Sequence, residues 1–400
     1  MKLVALPAGL LLLAFLALPS TVAETGPATP TFPAGAKSTG WIHFDFRDRK
    51  SIFIPAQVNG KPTMVLLANG LPVPMLDRSF ATALGLHIEP ASAGSGPANS
   101  SAPASVRDLH IEIGNLLLDE PKASVTDFGP LARSMGHPLP LLLGDNAFAG
   151  LVVELDFEHQ RLAIRAPSAD PECGGGGVSL PLLSAQGEHL VPASVEGAPD
   201  AEFELGLGNS GYTLLYASYY HPHHLLQGRT LSARLAGGSG GFFREPVGIL
   251  HKVRFAGVTF ADLPAAFIPA TQTGTPSDQI AGDLGLPLLS RFRLLIDYAH
   301  DRVCAVPYLR QRPTPFPKDR LGLSLRPDGS RLNVRFVAPH SPAEQAGFRS
   351  GEKIASINGR PTSAWQQAQL VDLGYAAKGT RLTFIMADGR VRSVVLATYF

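Results

Sequence analysis

The stretch V-N-G-K-P-T-M-V-L-L-A-N-G at residues 58–70 is followed 137 residues later by V-E-G-A-P-D-A-E-F-E-L-G-L-G at 195–208. Each copy opens on an apolar residue and a turn pair, continues as an apolar-rich strand and closes on a glycine-ended loop. Two further matches keep the order and nearly the spacing. Leu109-His110 returns as Leu250-His251, and G-D-N-A-F-A-G-L-V-V-E-L-D-F at 144–157 returns as G-D-L-G-L-P-L-L-S-R-F-R-L-L-I-D-Y at 282–298, with Asp156 and Asp297 141 residues apart. Three ordered matches indicate a duplicated domain.

Three breaker-rich segments frame the copies: 24–39, 168–178 and 309–319 read as linkers. They delimit a first copy at 40–167, a second at 179–308 and a different C-terminal unit at 318–400. A chain of 400 residues exceeds what one core supports. With 41 Gly, 35 Pro and only 17% charged residues, it reads as turn-rich and mainly β. Short runs bounded by turn residues predict strands at Ile52–Val58, Thr63–Leu67, Leu109–Ile113, Leu151–Leu155 and Arg161–Ile164, with one short helix at Asp77–Leu84. The segments 91–105 and 236–241 have mobile-loop compositions, suited to flaps over a cleft or to loose connections.

The repeat resembles the retropepsin-like aspartic peptidase family in a single-chain, two-lobed arrangement. The resemblance rests on the V-N-G-K-P strand entry, the glycine-ended loop, M-L-D-R-S-F-A-T-A-L-G-L at 75–86 and the late G-D…L-D-F element. It implies two closed β-barrel lobes, each contributing an Asp-Thr/Ser-Gly loop to a shared site. Here the loops read Ala68-Asn69-Gly70 and Gly206-Leu207-Gly208. Two carboxylates that share one proton activate water and protonate the substrate carbonyl, and Ala68 and Gly206 do neither. Asn69 and Leu207 also replace the hydroxyl residues that would brace such loops. The resemblance therefore implies an inactive scaffold with no catalytic residue. A peptidase with weak or relocated catalytic residues, and a structural assembly component, remain as alternatives. Asp77, Asp145 and Asp283 read as turn or cap residues. A cleft between the lobes would hold an extended peptide, or the lobes would serve as a spacer.

The C-terminal unit carries V-A-P-H-S-P-A-E-Q-A-G-F-R-S-G-E-K-I-A-S-I-N-G at 337–359. Strands are expected at Leu332–Val337, Arg381–Met386 and Val391–Ala397, and an amphipathic helix at Ser363–Leu373. This pattern resembles a small α+β PDZ domain of the bacterial exported type. By that resemblance Leu321, Gly322, Leu323 and Ser324 form the loop that holds a terminal carboxylate, and Trp365, Gln369 and Leu373 form the opposite wall. The implied partners are protein C-termini or extended peptides. An edge strand docked against the lobes is the competing interpretation.

Residues 1–23 read as a signal peptide: Lys2, an apolar run to Leu18, and Thr21-Val22-Ala23 before the expected cleavage at Glu24. A retained membrane anchor is the alternative. Export to the periplasm or beyond follows, with no membrane insertion after cleavage. In that compartment Cys173 and Cys304 are free to pair, although spacing leaves their pairing open. There are 34 basic and 33 acidic residues, which gives no electrostatic basis for nucleic-acid binding. No cofactor or metal is expected: Pro222 interrupts His221, His223 and His224, Gly174–Gly177 lacks a following Lys-Ser/Thr, and Ser210 lacks a nucleophile-elbow context. Oligomeric state is not legible.

Overall fold

The computed structural model describes residues 29–47, 51–71, 73–91, 103–135, 137–167, 173–185, 187–238, 241–270, 279–311 and 313–400. The leader at 1–23 and most of the 91–105 segment lie outside them. The chain is mainly β, with two pseudo-equivalent lobes and a smaller C-terminal domain.

The first lobe comprises β1 (Ser51–Val58), β2 (Lys61–Leu67), β3 (Met75–Asp77), α1 (Arg78–Ala83), β4 (Ser105–Ile113), β5 (Leu116–Thr126), α2 (Gly129–Met135), β6 (Leu141–Leu143), β7 (Val152–Asp156) and β8 (Arg161–Arg165). The strands pair in the order β5-β3-β6-β2-β1-β4, and β4 returns to β5, so the barrel closes. The expected helix is present, with Asp77 as its N-cap accepting from the Phe80 N–H at 3.1 Å. Helix α2 was not expected. Asp127 Oδ1 accepts the Gly129 N–H at 2.8 Å and starts it.

The second lobe repeats the plan with β9 (Glu188–Val195), β10 (Ala201–Gly206), β11 (Thr213–Tyr216), α3 (Ala217–Tyr220), β12 (Ser232–Gly238), β13 (Gly241–Leu250), β14 (Leu263–Ile268), β15 (Gly282–Gly285), α4 (Leu286–Leu289), β16 (Phe292–Asp297) and β17 (Arg302–Pro307). Its ring runs β9-β10-β15-β11-β14-β13 and returns to β9 through Val253–Phe255, the continuation of β13 past a bend.

The repeated words have a structural basis. Asn59-Gly60 and Glu196-Gly197 are hairpin turns in which both residues have positive φ: 47° and 75° in the first, 54° and 83° in the second. Asn59 Oδ1 accepts the His110 N–H at 2.8 Å, and Glu196 Oε1 accepts the His251 N–H at 2.7 Å. The Leu-His pair recurs because it latches the turn. Asp156 and Asp297 are likewise mirrored. Each is buried, and each receives a ring N–H from the histidine three residues on (His159 or His300) and the Nε–H of an arginine (Arg161 or Arg302).

The lobes are joined by a six-stranded sheet in which β7 and β16 pair antiparallel at its centre, Leu155 opposite Leu294 and Val153 opposite Ile296. Cys173 and Cys304 form a disulfide that ties the 168–178 linker to β17.

The C-terminal domain holds β18 (Leu323–Asp328), β19 (Arg331–Val337), α5 (Pro342–Gln345), β20 (Lys353–Ile357), α6 (Gln367–Tyr375), β21 (Arg381–Met386) and β22 (Val391–Val395), in the sheet order β18-β19-β20-β21-β22. Its core is built on Leu332, Val334, Phe348, Ile354 and Phe384. Among the described residues no helix is long and apolar enough to cross a membrane.

Candidate functional site

In each lobe a short strand brings the critical loop to the centre. Strand β2 runs parallel to β6, which also pairs with β3; β10 runs parallel to β15, which also pairs with β11. The loops at 68–70 and 206–208 therefore emerge face to face. A Cβ on Gly208 would stand 3.5 Å from the Ala68 Cβ. Asn69 crosses between them: its Oδ1 accepts the Leu207 N–H at 2.7 Å, and its Nδ2 donates to the Leu205 carbonyl. The expectation that both loops had lost their bracing is thus corrected for one of them. An amide supplies a donor and an acceptor together, as a hydroxyl would, whereas Leu207 supplies neither.

Ala68 is fully buried and brings no polar group to its loop. Position 206 is different. The carboxylate of Asp283 occupies the space of its missing side chain, since a Cβ on Gly206 would fall 1.9 Å from Asp283 Oδ1. Asp283 is therefore no turn or cap residue. It lies in the middle of β15, opposite Glu204 in the parallel register, where the first lobe pairs Leu142 with Leu66. The repeat match had placed Gly282 against Gly144, but strand pairing makes Gly285 the counterpart and sets Asp283 against Leu142. Glu188 adds a third acid, with its Oε2 2.7 Å from where a Gly70 Cβ would be.

Burial dominates the electrostatics of this cluster. It pushes the Asp283 carboxyl up to about 7 against a hydrogen bond from Asn209. Glu204 is raised well above the usual carboxylate range by burial, then by the charges of Asp283 and Glu188, although the Tyr216 hydroxyl donates to it at 2.9 Å. Asp283 Oδ1 has no hydrogen-bond partner among the described residues. The floor on this side is a buried acid pair whose carboxyls are both raised; on the other it is aliphatic.

Both inner faces are covered by the chain itself. In the first lobe, Phe53, Leu66, Ala68 and Leu142 pack with Phe128 and Leu131 at and within α2. In the second, Leu190, Leu214, Tyr216, Val247 and Ile268 pack with Phe400, the last residue of the sequence, and Tyr212 meets the Phe400 ring at 6.0 Å between centroids.

The C-terminal domain presents β18 as an edge strand facing α6. Leu321 is buried, Leu323 and Ser324 are half-buried, and Gly322 has φ +77° with no room for a side chain: a Cβ would lie 2.1 Å from the Ser341 Cβ. Residues 334–386 match the family model of the PDZ domain. The C-terminal unit is a PDZ domain. A solved structure similar to this chain is that of aspartic proteinase from Irpex lacteus, at 10% identity and a TM-score of 0.42, covering 69% of this chain and 99% of that one. A comparison with curated proteins finds no match.

Within the PDZ domain the expected helix boundary is corrected. The helix starts at Gln367, not Ser363, because Gln366 caps it and Gln369 Oε1 accepts the Gln366 N–H at 3.2 Å. Gln369 is thereby exposed and committed to the cap. Trp365 lies before the helix in extended backbone, its ring under Arg360 at 4.7 Å, while Leu373 packs against the domain core. Gln367 reaches the edge strand, its Nε2 donating to the Leu325 carbonyl at 3.0 Å.

The expected carboxylate loop also holds a residue that the sequence reading passed over. Asp319 Oδ1 accepts the Leu321 N–H at 3.1 Å and Oδ2 the Gly322 N–H at 2.9 Å, and the Tyr399 hydroxyl donates to Oδ2 at 2.7 Å. Burial raises its carboxyl above the ordinary value, with these hydrogen bonds opposing. An acid two residues before an apolar-Gly-apolar loop was the available signal. His221, His223 and His224 lie in an exposed turn after α3.

Proposed function

We propose that this is an exported, non-catalytic binding protein in which a two-lobed, peptidase-like scaffold carries a PDZ domain that takes up extended peptide segments by strand addition. The observation that carries it is β18, the edge strand of its sheet among the described residues, lying opposite α6, the arrangement through which a peptide adds to a sheet. Three features support the remainder. Ala68 and Gly206 bring no carboxylate to the loop pair, the inner faces of both lobes are filled by α2 and Phe400, and the leader together with the disulfide fits an oxidising compartment. The test is incubation of the purified protein with a synthetic peptide library from pH 3 to 8, read by mass spectrometry for both retention and cleavage. Retention without cleavage is expected; failure to retain any peptide refutes binding, and reproducible cleavage refutes the non-catalytic assignment.

The position of Asp283 favours a second reading. A carboxylate at the place of the missing Gly206 side chain, beside Glu204, is a relocated acid pair of the kind that general acid–base hydrolysis uses. That reading requires cleavage that disappears in Asp283→Asn.

A further inference from the structure

The PDZ loop is already occupied. Two successive backbone N–H groups, of Leu321 and Gly322, converge on one carboxylate, which is the arrangement a nest offers to an anion. The carboxylate belongs to Asp319 of the same chain. The surroundings are fitted to it. A Cβ on Gly374 in α6 would stand 2.0 Å from Asp319 Oδ1, so the helix has a gap where the carboxylate lies. The Asp319 backbone N–H donates to the Tyr212 hydroxyl of the second lobe at 3.0 Å, and Tyr399, which hydrogen-bonds the carboxylate, packs against that lobe beside Phe400. The neighbouring cation is engaged elsewhere: Arg320 Nη1 donates to the carbonyls of Lys318 at 3.3 Å and Ala376 at 3.2 Å. A ligand's terminal carboxylate would meet a like charge in the nest and find two of its donors taken.

We propose that Asp319 is a built-in substitute for a ligand's terminal carboxylate, so that the groove between β18 and α6 takes internal or uncharged-ended extended segments instead of free chain ends. This rests on the groove being a peptide site and adds the class of peptide that it reads. Strand pairing along β18 needs no chain end, and removing the anion requirement leaves apolar and backbone contacts to select the segment.

The test uses the whole protein and synthetic peptides of about ten residues ending in Leu, Val or Phe, each as free acid and as C-terminal amide, with binding read by fluorescence anisotropy. The native protein is expected to bind the two forms within about twofold. Asp319→Ala, which empties the nest, is expected to favour the free acid by at least about tenfold, the scale of charge-assisted hydrogen bonds. A tenfold preference of the native protein for free acids overturns the proposal while leaving peptide binding intact. Binding of neither form by either protein overturns the groove reading, and this inference with it. Amide hydrogen exchange on the ligand-free native protein gives an answer even if the variant does not fold. The Leu321 and Gly322 amides should be protected, and exchange at the rate of free loop amides refutes the occupied nest.

Discussion

Replacing Asp283 by Asn should stabilise the protein at neutral pH and remove part of its pH dependence. The carboxyl is raised from 3.8 to about 7 by burial, so the folded state holds its proton where the unfolded chain has released it. Its contribution to stability is complete below about pH 4 and is lost as pH rises through about 7. A shift of about three units corresponds to about 4 kcal/mol between those limits. Asn keeps the shape and the contact with Asn209 but carries no charge into the cluster with Glu204 and Glu188. Urea unfolding at half-unit steps from pH 4 to 8 measures the effect as native minus variant, which cancels groups common to both, such as Glu202 and Asp319. The variant should be more stable by up to about 4 kcal/mol at pH 8, and the difference should shrink toward pH 4. Parallel curves, or a variant less stable at pH 8, would refute the assignment of a buried, proton-holding Asp283.

Asn69→Ala removes the bridge between loops and leaves the Leu207 N–H and Leu205 carbonyl without their partner, a loss of about 1–3 kcal/mol in chemical denaturation; unchanged stability would remove the bridge from the account. Ala68→Asp/Gly206→Asp should not restore a catalytic pair, because a side chain at 206 meets the Asp283 carboxylate, and its melting temperature should recover when Asp283→Ala is added. Cys173→Ser/Cys304→Ser releases a crosslink spanning 131 residues and should cost about 4–5 kcal/mol, measured by urea unfolding without reductant. Deleting Tyr399 and Phe400 should loosen the PDZ domain from the second lobe, read as faster limited proteolysis within 309–319; an unchanged rate would argue against that docking.

The duplication was legible because hairpin turns impose narrow chemistry. Asn59-Gly60 and Glu196-Gly197 need positive φ, and the Leu-His pairs latch them, so the repeated words mark repeated backbone. The Asp156 and Asp297 clusters show the same logic at the interlobe sheet. The vacancy at Ala68 was equally plain, since an absent functional group is visible in one residue. What the sequence could not display was filling from elsewhere. Asp283 stands 77 positions from Gly206, and only the parallel register of β10 with β15 brings them together. A linear reading assigned it to a turn because aspartate is common there. Asp319 escaped for a related reason. Two positions before the loop it resembles a polar linker residue, and its role depends on the gap at Gly374 and on Tyr399, 80 residues away.

Those long-range fillings bear on whether the lobes are a passive spacer. In the first lobe the aliphatic face around Ala68 is closed by α2; in the second, the face beside the acid pair is closed by Phe400 at the end of the PDZ domain. The first cover also reaches the PDZ domain, because α2 touches α6. Ser232 Oγ on β12 donates to the Pro339 carbonyl at 2.6 Å, and Arg244 on β13 stands 5.2 Å from the Phe336 ring centroid, so the second lobe's hairpin grips the same domain. The inner face of the second lobe therefore serves as a seat of the PDZ domain, while the first lobe meets that domain through α2. A segment inserted between β18 and α6 would press on a helix that bears on the roof of the first lobe. If the groove binds peptide and α6 shifts, α2 must shift with it or lose its contact, and by reciprocity a change at the loop pair alters affinity at the groove. Asn69→Ala supplies that change at a distance from the groove, so its effect on peptide affinity separates a coupled seat from an inert spacer.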